Sequence, residues 1–350
     1  MFRSLKRWTL VVASAFLIAL AINFWAVPAK GAAHSFFRRV ERALGFDPDY
    51  ARSGSDSHAR VASAGVSAAS RGLPASVSFR DYDGQGLLVK TWVNGAGAFN
   101  FAIDTGAGAM ILSERVAQSA RVSIKSARTT EMSGMSGTNA VQGREAILRS
   151  LALGDQNNLL PARGLVIVAG NLPPGVDGIL DPTEAYWPLG YSIDMPHGQI
   201  RAFDPKVNPL RSNEAPVGGA VVPWLFDAES RRPFVMLSSG QRALLDTGSG
   251  FGFAINENSA RAFGLEQERG RQRDGSRDIG GSRIGARRVR PTNLRIGSLM
   301  LYRVPTDLLS GVEAGAPILL GREALEPFEV TFDPANRLIR FTPPQGNQDI

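Results

Sequence analysis

The sequence predicts a mostly β protein in which one structural plan is used twice. Three observations carry that prediction. The string D-T-G-(A/S)-G occurs at Asp104, in "FAIDTGAGAMIL", and again at Asp246, in "RALLDTGSGFGFAI", 142 positions further on. Each copy ends an apolar run of strand character, and its surroundings recur at nearly the same offset, as an internal duplication requires. The rest of the chain is a succession of short apolar runs separated by glycine and proline, the pattern of many short strands. One D-T-G alone carries little, because average residue usage produces it in roughly one chain in ten to twenty of this length. Two copies in matching contexts are a much stronger signal.

The elements follow in order. Upstream of the first motif, "LLVKTWVNGAGAFNFAI" reads as strand, Asn94-Gly95 turn, strand, and upstream of the second "FVMLSSGQRALL" reads the same way about Ser239-Gly240. Short helices are expected after each motif, at "SERVAQSA" from the cap residue Ser113 and "NENSARAFG" from Asn256. Next come the glycine-bearing stretches "EMSGMSGTNAVQGREA" and "RDIGGSRIGARRVR", followed by "LALG" from Leu151 and "LRIG" from Leu294. Each half closes with a short apolar segment, "DGILD" or "PILLG", and a hairpin whose first strand ends in Asp194 or Asp333 before a proline-containing turn. The expected organisation is a first lobe over 76–210 and a second over 216–345.

These paired motifs, each with a following flap and an apolar-apolar-Gly segment, resemble the aspartic proteases. The single lobe is most similar to the bacterial retropepsin-like enzymes and the one-chain duplication to the pepsin plan, over about 270 of the 350 residues. The resemblance implies two retropepsin-like β-barrel lobes with a cleft between them and Asp104 and Asp246 as the catalytic residues. It also implies that Thr105 and Thr247 hydrogen-bond across to the opposite loop, the alternative being that each caps its own turn. Gly106 and Gly248 let backbone amides approach the carboxylates. Ser249 can donate its hydroxyl proton to Asp246, where Ala107 offers Asp104 nothing comparable. The flap candidates are Met132, Gly134, Met135 and Gly137 in the first lobe and Gly280 and Gly281 in the second.

Two departures from the family pattern stand out. The first lobe reads Ile179-Leu180-Asp181 where the second has Leu319-Leu320-Gly321. Asp181 is either a neutral, hydrogen-bonded structural residue or the mark of a locally different loop, and the second alternative is preferred. No tyrosine occurs between Arg128 and Glu145, where the pepsin plan has one in its flap.

The chemistry also follows from the residues themselves. Two carboxylates held together cannot both ionise easily, so at intermediate pH they share one proton, an effect for which aspartic proteases are the standard worked example. The charged member can take a proton from water and the neutral one can donate to a developing oxyanion, with no metal or cofactor. The expected function is an aspartic endopeptidase acting on extracytoplasmic polypeptides as a monomeric catalytic unit. The alternative is a module on the same fold that captures an extended peptide without cutting it.

Composition excludes other classes. The chain has no cysteine, only three scattered histidines, and no H-E-x-x-H, G-x-S-x-G or phosphate-binding loop, which removes thiol, zinc, serine-triad and nucleotide chemistry. Its 43% hydrophobic content is ample for a core. Ten arginines between Arg261 and Arg295 contribute to a net charge of +7, with acidic residues interleaved. They read as a solvated face, or else as a surface for acidic polypeptides or anionic lipid; nucleic acid is not expected.

The amino terminus points to export. "MFRSLKRW" precedes "TLVVASAFLIALAINFWAV", a stretch of nineteen mostly apolar residues that matches a membrane span in length. Basic residues ahead of it predict a single-pass inner-membrane protein with its lobes in the periplasm. Val27 and Ala29 keep open a cleaved signal peptide within residues 1–30 and a soluble periplasmic or secreted product. Residues 31–75 read as a basic, amphipathic juxtamembrane part followed by a flexible Ser/Ala/Gly/Arg linker whose reach is on the order of 25 to 30 Å.

Overall fold

The computed structural model describes residues 72–344, apart from 83–84, 133, 139–140, 171, 228–229 and 278–281. The candidate span, most of the 31–75 segment, and the flap candidates Gly280 and Gly281 lie outside the described residues. Among the described residues no helix is long and apolar enough to cross a membrane.

The chain is mostly strand. The part carrying the first motif forms β1 (Val77–Ser78), β2 (Arg80–Tyr82), β3 (Gly86–Val93), β4 (Ala96–Ile103), β5 (Ile111–Ser113), β6 (Ser123–Met132), β7 (Val141–Leu148), β8 (Leu151–Leu153), β9 (Gly164–Ala169), β10 (Gly178–Leu180), β11 (Gly190–Asp194) and β12 (Gln199–Phe203). The part carrying the second forms β13 (Ala220–Pro223), β14 (Leu225–Asp227), β15 (Ser230–Met236), β16 (Arg242–Leu245), β17 (Phe253–Asn256), β18 (Arg271–Arg277), β19 (Arg283–Ile296), β20 (Leu299–Ser310), β21 (Ile318–Leu320), β22 (Glu329–Asp333) and β23 (Leu338–Thr342). Among the described residues, four short α-helices accompany them: α1 (Glu114–Ser119), α2 (Pro182–Tyr186), α3 (Glu257–Ala260) and α4 (Arg322–Leu325), with a 3-10 turn at Arg261–Phe263.

Local sequence explains many of these elements. Asn94 and Gly95 both take positive φ, 50° and 85°, which a tight hairpin turn between β3 and β4 demands and which Asn-Gly supplies at little cost. Ser113 caps α1 by accepting from the Val116 amide, and Asn256 caps α3 by accepting from Ser259. The closing hairpins β11–β12 and β22–β23 form as read, and Asp194 and Asp333 each accept from an amide three residues on, His197 and Asn336, which folds the turn back on the strand end.

Two sheets repeat one connectivity. The first runs β2-β3-β4-β10-β5-β9-β7-β6, with β8 added beside β3, and the second runs β14-β15-β16-β21-β17-β20-β19-β18. In each, the strand leading into the motif aspartate lies parallel to the apolar-apolar segment: β4 beside β10 with Ile103 opposite Leu180, and β16 beside β21 with Leu245 opposite Leu320. A third sheet, β1-β12-β11-β22-β23-β13, takes one closing hairpin from each half and joins them antiparallel at β11 and β22.

The predicted barrels do not close among the described residues. Closure requires the two edge strands of a sheet to pair, yet the first sheet ends at β2 and β6 and the second at β14 and β18. The closing hairpins that extend each half are committed instead to the shared third sheet. One apolar cluster containing Phe101, Leu180, Tyr191, Leu245, Phe253 and Phe332 runs through both halves, with a smaller cluster about Phe234, Phe251 and Leu319 in the second.

Candidate active site

The two D-T-G loops meet. Each motif threonine makes a pair of bonds to the other half. Thr105 Oγ1 donates to the Leu245 carbonyl at 2.6 Å and accepts from the Thr247 amide at 3.1 Å. Thr247 Oγ1 donates to the Ile103 carbonyl at 3.0 Å and accepts from the Thr105 amide at 3.1 Å. Both threonines are fully buried. The reciprocal network rigidly sets one strand end against the other, in place of the local capping that the sequence also allowed.

The aspartates follow from that docking. Their main-chain amides donate to the carbonyls of Leu180 and Leu320, both at 2.9 Å, so each carboxyl is launched from the end of a paired strand. Each motif glycine then lies under the opposite carboxyl. A Cβ on Gly248 would stand 2.5 Å from Asp104 Cγ, and one on Gly106 2.8 Å from Asp246 Cγ. Real Cβ contacts are never that short, so the residue after the threonine has to be glycine if the pair is to close.

The carboxyls face each other's motif glycine and lie in unequal surroundings. Burial, then the neighbouring Asp246 charge, push Asp104 well above the usual carboxylate range, and Asp181 adds to the effect while the Gly106 amide opposes it. Burial also raises Asp246. That shift is resisted by the hydrogen bond from Asp104, by the Ser249 and Gly248 amides and by the charge of Arg322. The two surroundings thus differ: Asp104 has a further carboxyl, Asp181, opposing its ionisation, and Asp246 has the Arg322 charge favouring it.

Ser249 acts differently from expectation. Its amide, at 3.1 Å, is what donates to Asp246 Oδ1, while its hydroxyl accepts from the Phe251 amide at 3.3 Å. A further difference between the two motifs lies at Arg322. Arg322, which follows Gly321, donates from Nη1 to the Thr247 and Gly248 carbonyls at 3.1 and 3.2 Å, and its Nε pairs with Asp81 in β2 at 3.4 Å. The only sequence signal for it was its place directly after the Leu-Leu-Gly segment.

Asp181 corrects a second expectation. The loop there is not merely different: Asp181 is buried and is the N-cap of α2, accepting from the Thr183 amide at 2.8 Å. Proline at the first helical position completes a helix start that the string Asp181-Pro182-Thr183-Glu184 already carried. Burial, then the Glu184 charge, push Asp181 up to about 8.

The flap candidates of the first half sit at a contact between the halves. Met132 ends β6 opposite Val141. The turn beyond it brings the Gly137 amide 3.1 Å from the Gly134 carbonyl, with Gly137 at a φ of 64°. Met135 packs on the small apolar cluster of the second half, and its carbonyl accepts from the Glu313 amide at 2.9 Å. Thr138 Oγ1 lies 3.0 Å from Ser282 Oγ, so hydroxyls of the two glycine-bearing stretches touch.

Several of the arginines between 261 and 295 are paired within the fold. Arg273 and Arg288 flank the fully buried Asp307 at 3.1 and 2.9 Å and both reach Glu323 of α4, and Arg290 pairs with Glu268. Among the described residues no group of three or more histidines, cysteines or carboxylates is arranged to hold a metal ion.

A family model described as aspartyl protease matches residues 89–180, from within β3 to the end of β10, a span that contains Asp104. The match supports an aspartyl protease family and, with it, a protease hydrolase. No curated protein matches the chain.

Proposed function

We propose that the protein is a two-lobed aspartic endopeptidase whose catalytic pair is Asp104 and Asp246. The observation that carries this reading is the reciprocal Thr105–Thr247 network, because it brings two motifs 142 residues apart into one site and seats each carboxyl over the other's glycine. Asp246, the charged member, takes a proton from a water held between the carboxyls as that water attacks a peptide carbonyl. Asp104, the protonated member, donates to the oxygen on which negative charge develops. Collapse of the tetrahedral intermediate returns a proton to the leaving amine and frees both products. The polypeptide lies extended beneath the two glycine-bearing stretches, whose contact through Thr138 and Ser282 has to part for it to enter.

The location follows from the amino-terminal sequence. A span within residues 1–30 would hold the enzyme at the inner membrane with its lobes in the periplasm, acting on membrane-proximal proteins; cleavage after Ala29 would release it. The test of function is the full chain incubated with a quenched-fluorescent peptide library, beside Asp104→Asn and Asp246→Asn. Cleavage that both substitutions abolish supports the enzyme, and peptide capture without cleavage by the wild type would establish the binding-module alternative.

A further inference from the structure

The two halves differ most sharply one residue beyond the paired strands. The register places Leu180 beside Ile103 and Leu320 beside Leu245, so the next positions in the parallel pairs set Asp181 beside Asp104 and Gly321 beside Asp246. Strands in a sheet lie about 5 Å apart, and the Asp104 amide is bonded to the carbonyl that immediately precedes Asp181. On the second side Gly321 leaves that place without a carboxyl, and Arg322 turns a guanidinium onto the Asp246 loop.

We propose that Asp181 is a positioning residue which, once ionised, opposes loss of the Asp104 proton, while Arg322 favours charge on Asp246. This deepens, and rests on, the reading of Asp104 and Asp246 as the catalytic pair. An ordinary twofold arrangement would leave the choice of acid and base to the substrate. Here the fold biases it, with a further carboxyl beside one aspartate and a guanidinium on the loop of the other.

The groups facing Asp181 set when it acts. Glu184 of α2 opposes its ionisation, Arg231 of β15 favours it, and the Thr183 and Glu184 amides bond its charged form. Arg231 is itself shared, pairing with Glu184 at 3.4 Å and stacking on Trp187. Tyr191 of β11 stands close enough to feel the Asp181 charge and is hydrogen-bonded to Thr183 at 2.9 Å. Below neutrality Asp181 is a neutral cap. As pH rises through its range it becomes the charge that makes loss of the Asp104 proton harder, so the singly protonated pair survives to higher pH than two isolated carboxyls would allow.

The experiment compares wild type, Asp181→Asn and Glu184→Gln in the full chain. The asparagine keeps a capping oxygen and removes the titratable group. With a peptide from the library that has no titratable side chain, the alkaline limb of kcat/KM should move toward acid by about half a pH unit or more in Asp181→Asn. Glu184→Gln lets Asp181 ionise earlier and should move the limb toward alkali, an opposite pair of signs that loss of a helix cap cannot produce. Infrared difference spectra of protein labelled with ¹³C-carboxyl aspartate read the same event without turnover. The Asp104 carboxylic acid signal, assigned by its loss in Asp104→Asn, should disappear at lower pH in Asp181→Asn than in wild type. Asp181→Ser, which also caps, replaces the asparagine variant if that one fails to fold. An Asp104 signal that titrates identically with and without Asp181 overturns the proposal. Absence of cleavage by the wild type would count against the catalytic reading alone, since the spectra still decide the role of Asp181.

Discussion

Replacing Thr247 by valine keeps the side-chain shape and removes only a hydroxyl that serves two backbone groups. The Ile103 carbonyl loses a donor 3.0 Å away and the Thr105 amide an acceptor 3.1 Å away. Both threonines are at most 1% exposed, so water has no ready path to either orphan. Each buried backbone group left unsatisfied costs about 1–3 kcal/mol, which makes the substitution worth about 2–6 kcal/mol. Set against a total stability of about 5–15 kcal/mol, that is a large share. At about 2–4 °C per kcal/mol for a chain of this order of size, the melting temperature should fall by roughly 5–20 °C. Thr105→Val should behave alike through the Leu245 carbonyl and the Thr247 amide. The serine variants, which keep the hydroxyl, should stay within about 1.5 kcal/mol of wild type. The assay is urea denaturation followed by tryptophan fluorescence, with scanning calorimetry beside it. Valine variants within about 0.5 kcal/mol of wild type, the range of an ordinary surface substitution, would show that the cross-bonded threonines do not hold the halves in register, and the argument from them to a shared site would fall.

Asp104→Asn and Asp246→Asn should each lower kcat on a cleavable peptide by on the order of 10³-fold or more, and the double variant should be little worse than either, because the pair works as a unit. Gly248→Ala should damage activity more than Gly106→Ala, since its new methyl would lie 2.5 Å from Asp104 Cγ against 2.8 Å for the other; equal and near wild-type rates in both would contradict the close approach. Asp181 also predicts a pH dependence of stability. A carboxyl raised in the folded state to about 8 favours folding fully only below its unfolded value, and that contribution is lost as pH climbs toward 8. Asp181→Asn should therefore gain stability relative to wild type between about pH 4 and 8, by up to roughly 5 kcal/mol, as read from urea midpoints across that range; a gain that does not grow with pH would refute it. Asp307→Asn removes the fully buried charge between Arg273 and Arg288, which stay partly exposed and paired with Glu323, and should cost about 1.5–3 kcal/mol in the same unfolding assay.

The sequence by itself determined what is written over a few neighbouring residues. Asn94-Gly95 dictates a tight hairpin because both residues accept positive φ. Ser113 and Asn256 start helices because their side chains can reach amides three residues on. The repetition of D-T-G in matching contexts was legible for the same reason, since each copy carries its own strand, turn and glycine. Asp181-Pro182 was a helix start of equal quality, and only the expectation of glycine there obscured it. Tertiary structure decided whatever depends on residues far apart along the chain. Whether the motif threonines cap their own turns or cross to the other half is a choice between two sets of hydrogen bonds, and the sequence is compatible with both. Whether the sheets close into barrels depends on where the terminal hairpins find partners, and they find each other. The proposed bias between the two carboxyls rests on Arg322 and Asp181, and Coulomb's law acts on the distances between groups, which the order of residues along the chain does not contain.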